Sequence, residues 1–115
     1  MKVEAVVVRD RVETVMDAVE SETGHVGVTV VEAVGHGKQR GITHDYRGPA
    51  LQSQYLPKAH LKSIAADELA ERVLGTVADA ARTGHVSGDG ICWMSPVTNV
   101  THNRTGAKLE EVEAP

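Results

Sequence analysis

Between Gly35 and Lys58 the chain follows neither the two-residue period of a strand nor the 3.6-residue period of a helix, whereas the sequence on either side follows both in turn. That interruption is the strongest constraint on the fold. A structureless connection of roughly twenty residues is uncommon inside a small domain, and it marks either function or a misassigned element. The stretch opens on Gly35, Gly37 and Gly41 and carries Lys38, Arg40, Arg47 and Lys58 against one acid, Asp45. Its formal charge is +3, although the whole chain carries −4. A basic projection on an acidic body favours an anionic ligand or partner.

The flanks are regular. Val3 to Val8 is short, β-branched and almost wholly apolar, as in a covered strand. From Asp10 the period changes. Val12, Val15, Met16 and Val19 share one helical face opposite Glu13, Asp17 and Glu20, with Asp10 as the expected N-cap and Gly24 as the stop. Gly27 to Ala33 returns to strand composition and runs almost straight into Gly35.

Beyond the interruption a third strand is expected within Leu56 to Ala65, starting after Pro57, because proline can only begin a strand or lie at its edge. Asp67 is expected to cap a second helix with Leu69, Val73, Val77 and Ala80 or Ala81 inward. Glu68, Glu71, Arg72 and Asp79 then face water, and the helix ends near Gly84. Ser87 to Gly90 reads as a tight, mobile turn, and Ile91 to Met94 as a fourth strand broken at Ser95-Pro96. The tail from Thr98 is polar, and Glu110 to Pro115 is expected to be disordered. The order β-α-β, long connection, β-α-β is the ferredoxin-like split βαβ, an α+β class with an antiparallel sheet. Every strand-to-helix step is short, so the long stretch is an insertion between the two middle strands.

Composition narrows the function. The chain is long enough for one domain with a modest core. Tyr46, Tyr55 and Trp93 are its only aromatic residues, so Val, Ala, Leu and Ile must fill that core, and oligomerisation is expected to add stability. A net negative charge argues against general nucleic-acid binding. Cys92 is the single cysteine and sits in an apolar run, where a buried structural thiol is favoured over a reactive one. No signal peptide is recognisable, and no apolar run approaches the ~20 residues a membrane span needs, so a cytoplasmic protein is expected, not inserted in a membrane.

Two glycine-rich turns, Gly35-His36-Gly37 and Gly88-Asp89-Gly90, let backbone N–H groups converge on an anion. Neither matches a dinucleotide or P-loop fingerprint, and singly each reads as an ordinary turn. Lys38, Lys58, Lys62, Arg82 and Arg104 are the cations that could join them. The histidines at 25, 36, 44, 60, 85 and 102 lack the i, i+4 spacing of a zinc helix, so turn or exposed histidines are the favoured reading. No serine, histidine and acid fit a nucleophile elbow.

In order and spacing, Gly27-Val28-Thr29-Val30, Gly35-His36-Gly37-Lys38-Gln39-Arg40-Gly41, Asp45-Tyr46-Arg47-Gly48, Leu56-Pro57-Lys58, Arg82-Thr83-Gly84, Gly88-Asp89-Gly90 and Arg104-Thr105-Gly106 resemble the PII signal-transduction proteins. The resemblance covers nearly the whole chain. It implies a homotrimer of ferredoxin-like domains spanning 1–109, with ATP or ADP bound in the clefts between subunits, and no enzymatic activity. It implies a T-loop at 35–57 that grips a partner, often an ammonium transporter, otherwise a metabolic enzyme. A B-loop at 83–90 and a C-terminal loop at 98–109 complete the plan. Carried over by position, the nucleotide site is Val7, Thr29, Gly35, Gly37, Lys38, Gln39, Lys62, Ile64, Gly88, Asp89, Gly90, His102 and Arg104. The 2-oxoglutarate site is Gln39, Arg40, Gly41 and Lys58, with Gln39 also holding Mg²⁺ and Lys58 pairing a carboxylate. His44, Tyr46, Arg47 and Leu51 fall on the partner-reading tip.

The departures are as informative. The family's uridylylated tyrosine falls on Leu51 and its phosphorylated serine on Pro49, so neither switch can operate. One extra residue stands between Gly84 and Gly88, and the phosphate-binding lysine after Gly-Asp-Gly is Ile91. The first of two phosphate-contacting arginines is His102. Losing one charged hydrogen bond costs on the order of 1.5 to 3 kcal/mol, or roughly 10- to 150-fold in affinity. Lys62 stands where the family has a glutamate neighbouring the missing lysine, and it is the expected replacement charge. Two alternatives stay open: a diverged sensor of bicarbonate or an AMP-type nucleotide controlling carbon or other transport, and a trimeric metal-binding protein.

Overall fold

The computed structural model describes residues 1–24, 26–36, 55–84 and 89–109. Among these, the chain forms β1 (Lys2–Val8), a 3-10 turn (Arg9–Arg11), α1 (Val12–Thr23), β2 (Val28–Gly35), β3 (Leu56–Ile64), α2 (Asp67–Ala81) and β4 (Ile91–Ser95). The strands form one antiparallel sheet in the order β2-β3-β1-β4. Each βαβ unit therefore straddles a strand of the other, which is the ferredoxin-like arrangement the element order predicts.

Alternation along the strands sorts the two faces. Val3, Ala5 and Val7 of β1 point to the helices and pack with Ala59 and Leu61 of β3, Val15 and Val19 of α1, and Ala70, Val73, Val77 and Ala81 of α2. Val7, Val15 and Val73 are the largest fully buried side chains, so the sheet and helices meet across a thin layer. On the other face, cross-strand register aligns Val31, His60, Val6 and Ile91 in one row and Thr29, Lys62, Glu4 and Trp93 in the next.

Glu4 organises that second face. Only 8% of it is exposed. One carboxylate oxygen lies 3.0 Å from His60 Nε2, and the other accepts from Trp93 Nε1 at 3.1 Å, with Lys2 Nζ at 3.4 Å. One side chain on the central strand thus ties β1 to both of its neighbours. Burial works to raise the Glu4 pKa, but hydrogen bonds from Lys2, His60 and Trp93 outweigh it and hold the carboxyl below its ordinary value.

Several boundaries differ from the sequence expectation for physical reasons. Asp10 does not cap α1. It lies inside the 3-10 turn, whose hydrogen bond from Val12 N to Arg9 O carries the chain from strand to helix, and Arg11 takes the N-cap position without a side-chain bond. Gly24 does end α1, with φ at +81°. Asp67 is the first residue of α2, not its cap. Its carboxylate takes the Met1 ammonium at 3.2 Å, and Ala66 is the N-cap. The helix stops at Ala81, and Ala70 fills the innermost position expected of Leu69, which is half-buried.

β3 starts at Leu56 and includes Pro57. This is tolerated because β1 ends opposite Lys58, leaving only β2 beside the proline. The polar segment after β4 also folds back on itself. Thr101 pairs with Lys108, Leu109 N–H donates to Val100 O at 3.0 Å, and Leu109 is buried. The disorder expected of residues 110–115, and residues 87 and 88 of the turn at 87–90, lie outside the described residues. Among the described residues no helix is long and apolar enough to cross a membrane.

Candidate functional site

β2 and β3 end side by side, with Gly35 opposite Leu56, so the stretch between them springs from a two-strand base. Lys58 stands at that base and is only 6% exposed. Its aliphatic stem lies along Gly35, where an added Cβ would sit 2.7 Å from Lys58 Cγ and 2.9 Å from Cε. Glycine is required there by close approach. Burial pushes the Lys58 pKa down, and the negative charge of Asp89 acts against that shift.

The backbone at this base is held by a residue from the 3-10 turn. Arg9 Nη2 donates to Ala33 O at 3.1 Å and Nε to Lys58 O at 3.4 Å. Ala33 and Lys58 are register partners, so one guanidinium grips both strands at the same level.

The second glycine turn faces the same region. Asp89 accepts from Thr83 N–H at 3.0 Å through one oxygen and from the Thr83 hydroxyl through the other, bridging the chain on both sides of residues 85–88. Gly90 has φ at +94°, and a Cβ there would fall 1.7 Å from the Val6 carbonyl oxygen. A groove of about 310 Å³ follows, walled by Val6, Val7, Ala81, Arg82, Asp89, Gly90, Ile91 and Cys92. Cys92 is half-buried in this wall, not fully covered, and burial raises its thiol pKa, which does not favour a reactive thiolate. Nearby, Arg11 closes the end of α2, its Nη2 and Nε donating to Ala80 O at 2.6 and 3.2 Å.

The structure thus brings Gly35, Lys58, Asp89, Gly90 and the backbone of Val7 to one end of the sheet. The Val7 side chain is turned to the core and is 1% exposed. Thr29 and Lys62 are exposed register partners, and Ile64 lies opposite Lys2 at the other end of β3. His102 is half-buried in the folded-back segment, its N–H donating to Ala107 O at 2.8 Å, and Arg104 is exposed on the intervening turn. Lys62 is not beside Ile91. β1 separates them and their rows differ, which puts their Cα atoms about 12 Å apart from standard strand spacings. Gly37, Lys38, Gln39, Arg40, Gly41, His44, Tyr46, Arg47, Leu51 and Gly88 lie outside the described residues.

Arg9, Arg11, and the Glu4 cluster with His60 and Trp93 escape sequence reasoning. The only local signal for the arginines is a charged Arg9-Asp10-Arg11 step between two apolar runs. Their partners lie 24, 49 and 69 residues away.

The family model described as Nitrogen regulatory protein P-II matches residues 1–107. The chain belongs to this family. It is 38% identical over 107 residues to a Nitrogen regulatory protein P-II of Azospirillum brasilense, covering 93% of this chain and 94% of that protein. The P-II protein of Rhizobium meliloti (strain 1021) is 40% identical over 105 residues, 91% of this chain and 92% of the relative. That of Cereibacter sphaeroides is 34% identical over 110 residues, 96% of each. The P-II likeness therefore runs from β1 through the folded-back segment that carries His102 and Arg104. In this P-II chain the long insertion, the Lys58 base and the Asp89 turn are parts of a nitrogen-regulatory signalling protein.

Proposed function

We propose that this P-II chain is a trimeric sensor of ATP or ADP that, together with Mg²⁺, reads 2-oxoglutarate and regulates a transporter or enzyme of nitrogen metabolism through residues 35–57. The observation that carries the reading is the Lys58 ammonium, drawn into the protein beside Gly35 at the root of that stretch and facing the charge of Asp89. An ammonium at this root is a suitable partner for a carboxylate or phosphate. Gln39 would ligate Mg²⁺ beside the nucleotide phosphates. Val30, Val31, Val34, Tyr55 and Ile91 are large exposed apolar residues, which supports association with further copies. Lys62 is the proposed replacement for the charge missing at Ile91. The regulator works in the cytoplasm, and an ammonium transporter or similar partner would recruit it to the membrane.

Calorimetry with ATP, ADP and AMP, each with and without Mg²⁺ and 2-oxoglutarate, tests the ligand reading, and sedimentation tests the trimer. Heat with ATP and Mg²⁺ that grows with 2-oxoglutarate supports it. Ile91, 69% exposed at the groove rim, favours a second reading in which the ligand carries less phosphate charge, such as an AMP-type nucleotide, or is bicarbonate. Tighter binding of AMP than ATP, or a bicarbonate response, would select that reading.

A further inference from the structure

The 3-10 turn between β1 and α1 carries two arginines that reach in different directions. Arg9 reaches the paired carbonyls of Ala33 and Lys58, at the exit of β2 and the start of β3. Arg11 reaches the Ala80 carbonyl, one residue before α2 ends, through two N–H groups. Beyond that helix end come Thr83 and Asp89, hydrogen-bonded to each other. β1 also joins the two segments, pairing Val8 with Lys58 and Val6 with Ile91, but its ladder to β3 stops at the Val8–Lys58 pair. Where the strand has no more backbone to offer, two side chains continue the contact.

We propose that Arg9 and Arg11 are positioning residues that hold the two halves of the ligand site in register: Arg9 fixes the Lys58 backbone and both roots of the long insertion, and Arg11 fixes the helix end from which Thr83 and Asp89 follow. The functional part of this rests on the reading that Lys58 meets an anionic ligand. The geometric logic is that of a rigid bracket. Two arginines of a single three-residue turn, anchored between strand and helix, tie segments that are otherwise remote in the chain. A guanidinium suits both jobs, because its fixed fork satisfies two acceptors or doubles its hold on one. A ligand bridging the two halves then binds without first aligning them, and a shift at one half is passed to the other through one short, stiff element.

The test uses the full chain with Arg9→Ala, Arg9→Lys and Arg11→Ala, read by amide hydrogen exchange and by calorimetry with MgATP plus 2-oxoglutarate. In Arg9→Ala, exchange at Val34, Gly35, Leu56 and Lys58 should quicken at least tenfold more than at the core of α1. In Arg11→Ala the same excess should appear at Ala81 to Thr83. Both alanine variants should lose at least fivefold in ligand affinity, and Arg9→Lys, which can serve one carbonyl at a time, should recover part of the loss. A uniform rise in exchange across sheet and helices, or no local rise, overturns the proposal and leaves the arginines as general stabilisers. If the unaltered chain gives no heat with these ligands, the ligand reading fails, and the exchange pattern alone then decides whether the turn is a bracket. Normal affinity in both alanine variants, with the unaltered chain binding, also overturns it.

Discussion

Lys58 lies along Gly35 so closely that a methyl group on the glycine would meet its Cγ at 2.7 Å. Gly35→Ala must displace the stem of a side chain that is only 6% exposed, not a free end in water. Overpacking of this kind typically costs about 1 to 3 kcal/mol. We expect a lowered melting temperature together with weaker binding of anionic ligands, read by thermal melts and calorimetry on the same preparation. A variant of full stability and full affinity would show that Lys58 is free to move aside.

Lys58→Met should separate stability from binding. The folded-state pKa of Lys58 lies below its ordinary value, so the charged form is disfavoured by the fold, and stability should rise as pH climbs toward about 10.5. Replacing the cation with an apolar chain of similar length removes that opposition. Denaturant unfolding of parent and variant between pH 7 and 10.5 should find the Lys58 share of the pH slope gone in the variant. Binding of an anionic ligand should be lost in the same variant.

Two glycines predict opposite signs. Gly90 combines φ at +94° with a would-be Cβ 1.7 Å from the Val6 carbonyl, so Gly90→Ala must open the β1–β4 pairing and should cost more than about 3 kcal/mol. Gly75 sits in α2 with nothing within 4 Å of its would-be Cβ. Gly75→Ala should therefore stabilise by about 0.5 to 1 kcal/mol through helix propensity alone. Paired melts of the two variants check both signs.

Glu4 should shape the acid limb of stability. Its folded-state pKa is lowered, so its contribution is present in full above the ordinary value of about 4.5 and disappears as pH falls through the folded value. Glu4→Gln should be less stable than the parent at pH 7, and the gap should narrow below pH 4.5. Unfolding midpoints measured from pH 3 to 7 decide this. A gap independent of pH would mean that the carboxylate charge is not what holds β1 to His60 and Trp93.

The sequence by itself determined the kind and order of the elements. Helical spacing of Val73 and Val77, a β-branched run at Val3–Val8, an apolar run at Ile91–Met94, and Gly24 as a stop are local signals, and local backbone preference is enough to set them. Charge and glycine placement made Lys58 and the two glycine turns candidates, and the P-II resemblance gave Lys58 and Asp89 their expected roles. Helix caps were less legible. Asp10 and Asp67 have the right chemistry for capping, but the 3-10 turn and the Met1 ammonium redirect them. Only the tertiary structure decided which distant groups meet. Arg9 with Ala33 and Lys58, Arg11 with Ala80, and Glu4 with His60 and Trp93 join residues 24 to 89 positions apart. The same is true of the separation of Lys62 from Ile91, which one intervening strand imposes. Periodicity reports the face a residue occupies, whereas strand order and register decide what stands opposite it, and those follow from packing the whole chain around one thin core.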